Sequence, residues 1–353
     1  MKVAILNDTH AGARNSADLF MEYQGRFYNE VFFPYLKEHG IKRILHLGDY
    51  YDHRRYVNFK ALNHNRKVFL DVLRWDGIHM DIIPGNHDVY YKNTNELCSI
   101  KELQGYYTDC VTIHMDPTVV EYDGLKIGLV PWINANNYDR AMEFLKKCKA
   151  DIIGGHFELE GFEMMKGVIN PHGMDTAPLK RFEMVMSGHF HTKSHQGNIH
   201  YLGGQMEFTW ADCNDPKFFH ILDTETRELI PVRNPLTLFD KIVYNDAKFD
   251  YSTYDVDKHK DKFVKVVVAQ KSDLYQFDRF IDRLQDVDTH ELKIAETFEE
   301  FTGNSIEDEK VSLEDTTTLL DSYVDAVETD LEKDRIKSVM RELYVEAQNM
   351  EIV

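Results

Sequence analysis

A layered α/β fold is predicted for this chain by three observations. Short apolar runs alternate with stretches of helical spacing over the first 200 residues. Nearly every run is followed at once by a polar cluster. No apolar stretch approaches the ~20 residues that a membrane span requires. Strands alternating with helices put helices against a sheet. The runs are Val3–Leu6, Ile44–Leu47, Met80–Ile83, Ile127–Val130, Asp151–Ile153 and Met184–Met186. Each has the length of a short buried strand, and their near-continuous apolar character suits strands covered on both faces. Leu19–Glu38 and Asn58–Trp75 lie between them at helical spacing. In the second, Phe59, Leu62, Val68, Phe69, Val72 and Leu73 mark the apolar face.

After about residue 205 the pattern changes. Lys262–Ala269 is a β-branched run, and Asp273–Gln285 places Leu274, Phe277, Phe280, Ile281 and Leu284 on one helical face. Glu291–Ile294 reads as a further strand, so residues 240–295 predict a small α+β domain behind a catalytic domain over 1–239. Residues 296–353 begin as an acidic stretch and continue as two amphipathic helices, with Ser312 and Asp315 at the spacing of a capping box.

The formal charge is −19, which by itself argues against a nucleic-acid partner. Its distribution reverses that inference. Residues 296–353 hold 17 Asp and Glu against 5 Lys and Arg, a net of −12, leaving −7 for the other 295 residues. An acidic tail of this kind suits a protein partner. Cys98, Cys110, Cys148 and Cys213 are scattered with no C-x-x-C pair, which predicts reduced thiols rather than a disulfide framework. The opening MKVAILNDTH is too short for a signal-peptide core. A soluble protein of the cytoplasm, without a membrane, is expected.

The polar clusters carry the chemistry. NDTH follows VAIL, GDYYD follows ILHL, GNHD follows DIIP, GGHF follows DII and SGHFH follows MVM. In layered α/β folds functional groups gather at the carboxyl ends of strands, so five clusters in succession share one rim. Asp8 and His10 are two apart, and on an extended segment would face the same way. Asp49 follows Gly48, whose missing side chain permits a tight turn. Asn86, His156, His189 and His191 complete a set of carboxylate, imidazole and amide donors with no thiolate. Such donors suit Mn²⁺, Fe²⁺ or Zn²⁺, and the oxygen-rich half tilts toward Mn²⁺. Seven donors exceed one ion's needs; two ions ~3.5–4 Å apart would use them all in phosphoryl displacement. Singly, D-x-H is usually a turn and G-D after a strand is commonplace. Their joint order, each after an apolar run, is what decides.

D-x-H, G-D-x-x-D, G-N-H-D, G-H and G-H-x-H in that order resemble the calcineurin-like metallophosphoesterase superfamily, over roughly residues 1–205. The resemblance implies a β-sandwich flanked by helices, with a small α+β capping domain over 240–295 and C-terminal helices. It implies that Asp8, His10, Asp49 and His191 hold one divalent ion. Asp49, Asn86, His156 and His189 would hold a second, with Asp49 bridging. His87 would be the catalytic histidine, and Asp88 would orient it. NDTHAGAR and GDYYDHRR are similar to the SbcD-type DNA repair nucleases, above all those of T4-type phage recombination complexes. That likeness implies a Mn²⁺-dependent DNA exonuclease and endonuclease, with Mg²⁺ as the alternative ion, acting in double-strand-break processing and recombination-dependent replication. It also implies a homodimer, an SbcC-type SMC ATPase docked on the terminal helices, a phage origin and a place in the host cytoplasm. Two departures stand out. Ala11 replaces the usual Leu, and Asp52 stands where some relatives have His, with His53 next to it.

Basic residues trail four of the five clusters: Arg14, then Arg54 and Arg55, then Lys92, then Lys193. As a set they are candidates for contacts to flanking DNA phosphates, although solvated surface charge explains each one singly. Tyr50, Tyr51, Tyr56, Tyr90 and Tyr91 lie among them, placed to stack on bases. The competing reading is a stand-alone metallophosphatase or cyclic-nucleotide phosphodiesterase of the same superfamily. The acidic, amphipathic tail favours the nuclease, because a solitary phosphatase has no evident need for it.

Overall fold

The computed structural model of this chain describes residues 1–165 and 168–296, with Val324 and a few positions between 332 and 340. Two six-stranded sheets face each other. The first takes β1 (Lys2–Leu6), β2 (Arg43–His46), β3 (His79–Ile82) and β4 (Val111–Ile113), all parallel, and the second opens with β5 (Thr118–Tyr122), β6 (Leu125–Val130) and β7 (Ile152–His156). A hairpin of β8 (Glu163–Met165) and β9 (Val168–Ile169) stands apart. The second sheet is completed by β10 (Met184–Gly188), β11 (Ser194–Gln196) and β12 (Ile199–Tyr201), in the order β11-β12-β10-β7-β6-β5. The chain then returns to the first sheet with β13 (Phe218–Asp223) and β14 (Leu229–Arg233), giving β14-β13-β1-β2-β3-β4.

The six predicted strand runs all fall in this sandwich, and their burial explains why they read as continuous apolar segments. In β1, Val3 and Ile5 face the second sheet, packing with Leu45, Ile127, Ile152 and Met186. Ala4 and Leu6 face the other way, beneath Phe27, Phe32 and Phe69 of the covering helices. A strand so placed has no polar face to show. The first covering helix, α1, runs through Asp18–Arg26, Phe27–Phe32 and Phe33–Glu38, and α2 through Phe59–Asn65, Arg66–Leu70 and Asp71–Trp75. Both are widened to π-helical winding in the middle, which a 3.6-residue period does not foretell. After the short α3 (Ser99–Gln104), α4 (Tyr138–Lys147) lays Ala141 and Leu145 on Val130, Ile153 and Val185 of the second sheet.

Beyond the sandwich, β15 (Phe239–Asn245), β16 (Phe263–Gln270) and β17 (Glu291–Glu296) form a parallel sheet covered by α5 (Leu274–Gln285). Asp273 caps α5 by accepting from the Gln276 amide at 3.1 Å. The predicted face is buried except at its first residue: Phe277, Phe280, Ile281 and Leu284 lie on Ile242, Tyr244, Val264, Val266 and Val268, while Leu274 is exposed. Each such side chain contributes ~1.5–3 kcal/mol by leaving water. Phe239 and Phe263 stack at 5.2 Å, and Phe263 reaches Phe20 of α1 at 5.9 Å, tying the sheet to the sandwich. Met1–Glu296 accordingly forms one compact unit. The expected boundary after residue 239 falls one residue inside β15. The two helices expected after residue 296 lie outside the described residues. All four cysteines are free and buried, and no described helix is long and apolar enough to cross a membrane.

Candidate active site

Five loops leaving β1, β2, β3, β7 and β10 converge at one rim. At the first, the expected extended segment is not what forms. Asp8 and His10 take left-handed φ values of 47° and 44° after β1 has ended. Their amides instead donate to the Gly48 carbonyl at 2.9 Å and the Asp49 carbonyl at 3.1 Å, which locks the first loop onto the second. Gln24 of α1 staples the turn through the Thr9 and His10 carbonyls at 2.8 and 3.1 Å. The turn at Gly48 has φ 94°, and a Cβ there would come within 2.7 Å of the Gly85 nitrogen and His156 Nδ1. Glycine is therefore required both by conformation and by the close approach of the third loop.

The donors come together in overlapping groups. Asp8, His10 and His191 form one, Asp49, His156 and His189 another, and within each the ligand-type atoms lie inside 4.8 Å of one another. His10 Nε2 and His191 Nε2 approach to 3.1 Å. Asn86 Oδ1 sits 2.9 Å from both His156 Nε2 and His189 Nδ1. Asp49 Oδ2 stands between the groups, 3.3 Å from His156 Nε2 and 4.0 Å from His10 Nε2. His156 Nδ1 donates to the Leu47 carbonyl at 2.8 Å, which turns its other nitrogen toward the cluster. A ring held at one nitrogen and turned toward neighbouring donors with the other, as in His156, has the arrangement of a metal ligand, and donors without a thiolate fit hard-to-intermediate divalent ions.

The charges in this pocket hold one another. Burial pushes His156 down, but the Asp49 carboxylate outweighs it and raises the imidazole to about 9. His10 is likewise raised to about 9, burial being overcome by Asp52 and Asp49. Burial and the neighbouring cationic His156 take His189 down to about 3. Asp49 lies well below the carboxylate range: burial opposes that, and His156 and His87 overcome it.

A third group, His10, Asp52 and His87, adjoins the first two. His87 Nδ1 lies 2.6 Å from the Asp52 carbonyl, and its amide donates to Asp49 Oδ1 at 2.7 Å. The expectation that Asp88 orients His87 is therefore corrected. The Asp88 carboxylate is fully buried and accepts from the Tyr50, Tyr51 and Gly85 amides at 2.9–3.2 Å, clamping two loops together. Asp52, not His53, faces the site: its Oδ1 is 3.2 Å from His10 Nδ1, while His53 stacks on Tyr56 at 4.6 Å.

Among the basic candidates, Arg14, Arg55, Lys92 and Lys193 are exposed and Arg54 is half-buried. Burial lowers the Arg54 guanidinium, and the Asp49 charge partly offsets that. The stacking role expected for Tyr50 and Tyr51 fails, because both are fully buried under α2 and in contact at 4.9 Å. Tyr56, Tyr90 and Tyr91 remain exposed. Three residues at the rim carry no ligand signal in the sequence. Asn7 donates to Asp8 Oδ2 at 2.6 Å, Trp132 packs on His189 at 5.4 Å, and Phe208 packs on His10 at 5.8 Å. Trp132 could have been sought because it follows β6 as the other rim residues follow their strands. Phe208 lies in a loop before β13, where no such cue exists.

A family model for calcineurin-like phosphoesterases matches residues 1–193, which contain all seven donors. Exonuclease subunit 1 of Enterobacteria phage T4 is 30% identical to this chain over 354 residues, an alignment that takes in 98% of this chain and 99% of the phage protein. Among solved structures, the chain is similar to an archaeal phosphodiesterase at 16% identity and a TM-score of 0.35, covering 66% of this chain and 100% of that one. A protein of Thermus thermophilus matches at 11% identity and a TM-score of 0.39, covering 66% and 98%.

Proposed function

This chain belongs to the calcineurin-like phosphoesterase family, and we propose that within it the chain is a DNA nuclease subunit that hydrolyses phosphodiester bonds with two divalent ions. The observation that carries the nuclease reading is the end-to-end likeness to the phage T4 exonuclease subunit, together with the rim of carboxylates and imidazoles. Asp8, His10, Asp49 and His191 would hold one ion, and Asp49, Asn86, His156 and His189 the other. The mixture of oxygen and imidazole donors favours Mn²⁺, with Mg²⁺ as the alternative. Bound there, the ions supply Lewis-acid stabilisation of charge on a phosphoryl group.

The residues of the chain supply the rest. The Asp52 carbonyl can only accept, so His87 carries a proton on Nδ1 and can take a second on Nε2. From Nε2 that proton is available to the departing sugar oxygen, as general-acid catalysis requires. Arg14, Arg54, Arg55, Lys92 and Lys193 would position flanking phosphates without reading bases.

The wider reading is an SbcCD-type complex working in break processing and recombination-dependent replication, in the host cytoplasm if phage-encoded. The sheet β15–β17 would cap the DNA, and residues 296–353 would dock an SMC-type ATPase. Full complex formation after deletion of 296–353 would remove that docking assignment. A homodimer is proposed through the helices of the first ~100 residues. Phe59 and Trp75, 85% and 74% exposed at the two ends of α2, support that assignment; a monomer in sedimentation at micromolar concentration counts against it.

The deciding experiment is Mn²⁺-dependent cleavage of linear duplex and single-stranded DNA beside bis-p-nitrophenyl phosphate. Cleavage of DNA is expected. Hydrolysis of the small ester alone would favour the phosphatase reading. His87→Ala should bind ions as the wild type does yet lose ~10²–10⁴-fold in rate; retained nuclease activity would overturn the role given to His87.

A further inference from the structure

Behind the rim lies a buried cation that the catalytic scheme does not use. Lys217 precedes β13 and is 3% exposed. Its Nζ lies 2.6 Å from Asp212 Oδ1, 2.8 Å from Asp215 Oδ2 and 3.1 Å from the backbone carbonyl of His191. All three ammonium protons thus have acceptors. A lysine taken out of water loses its hydration, which good partners only return, so packing alone does not explain its presence.

Two connections run from Lys217 to the site. The first is direct. The His191 carbonyl also accepts from the Gly204 amide at 2.9 Å, so the backbone of this histidine is gripped from two sides. The second runs through Asp212. The carboxylate oxygen not facing Lys217 accepts from the Phe208 and Thr209 amides, both at 2.9 Å. That fixes the Phe208 ring, which packs 5.8 Å from His10 and 6.4 Å from His191. The other group is seated differently: His156 by the Leu47 carbonyl, and His189 against Trp132.

We propose that Lys217 is a positioning residue for the Asp8–His10–His191 group alone, holding the His191 backbone directly and the Phe208 ring through Asp212. The assignment rests on the two-ion reading above. Loosening a residue that supports a ligand typically weakens metal binding ~10–100-fold. The ion at this group should lose that much affinity when Lys217 is replaced, while the ion at Asp49–His156–His189 changes little.

The test is calorimetric titration of Mn²⁺ into the metal-free full chain, with electron paramagnetic resonance to follow the exchange-coupled Mn²⁺ pair. Wild type should show two affinities and the coupled signal. Lys217→Met should weaken one affinity selectively and raise the Mn²⁺ concentration at which coupling appears. Because Lys217→Met strands the Asp212 charge, the double variant Lys217→Met/Asp212→Asn is measured beside it. It removes that charge and should show the same selective loss. Should neither fold, Lys217→Arg keeps the charge and changes the donor geometry, and must still weaken one site more than the other. Wild-type affinity at both sites in the folded variants, or equal loss at both, overturns the proposal. A wild type that binds fewer than two ions instead overturns the two-ion reading, whatever the variants do.

Discussion

The rim of the sandwich and the small sheet β15–β17 are built on opposite terms. The rim is polar, buried and conformationally strained. Asp8, His10, Asp49 and His189 all have positive φ, between 44° and 89°, which costs ~1–2 kcal/mol per residue without glycine. The small sheet is apolar and ordinary, a helix laid on three strands around Tyr244, Val266 and Phe280. Strain at the rim persists because neighbouring loops and the sheets beneath over-determine it. The small sheet instead adds to the stability of the unit. Substitutions in the two regions should therefore separate activity from stability.

The largest effect is expected at Asp49. Its Oδ2 stands between the two donor groups and its Oδ1 holds the His87 amide. Asp49→Asn removes the charge and keeps the shape. Hydrolysis of bis-p-nitrophenyl phosphate with Mn²⁺ should fall by ~10³-fold or more. A fall of less than tenfold would show that Asp49 is not shared. The mirror experiment lies in the small sheet. Phe280 is 1% exposed and contacts Tyr244, Tyr251 and Tyr254 at 4.8–5.5 Å. Phe280→Ala should cost ~3–4 kcal/mol in urea unfolding and leave the hydrolysis rate of the folded protein alone. A large rate loss would mean that the two regions are not separable.

Gly48 lies where chemistry and stability meet. An alanine there would put its Cβ against Gly85 and His156 at φ 94°, costing ~2–3 kcal/mol and displacing a donor. Both a lower urea midpoint and weaker Mn²⁺ binding are expected; if stability falls alone, His156 is not displaced. The same residue shows what the sequence can convey. G-D after an apolar run announces a tight turn, and it is there. The two-residue spacing of Asp8 and His10 announces an extended segment, and it is not. These side chains meet their partners because left-handed turns bond to the second loop, a long-range condition that no local spacing encodes. Tyr50 and Tyr51 mislead for a related reason: they follow a polar turn, yet α2 covers them. The helix α5 and strand β16 were legible because burial there depends only on periodicity. Lys217 was not: Asp212 and Asp215 stand five and two residues before it and read as ordinary surface charge, and only the return of the chain into β13 brings the group to the His191 carbonyl.

The smallest effect is expected at the base of the small sheet, where pH provides the lever. Asp240 accepts from His259 Nδ1 at 2.8 Å and Lys262 Nζ at 3.0 Å. Burial pushes its carboxyl up, but these hydrogen bonds outweigh it and hold the group below its ordinary value. A carboxyl depressed in the folded state stabilises above its unfolded pKa of ~3.9 and loses that contribution as pH falls through the folded value. The side chain is 24% exposed, so solvent screens much of the attraction and ~0.5 kcal/mol remains. Asp240→Asn should therefore lower the urea midpoint slightly at pH 7, with no change in hydrolysis. The gap from wild type should close as pH falls below 4. A gap that persists at pH 3 would mean that the contribution of Asp240 comes from packing or neutral hydrogen bonding. The base of the small sheet would then owe its stability to the same non-ionic sources as its core.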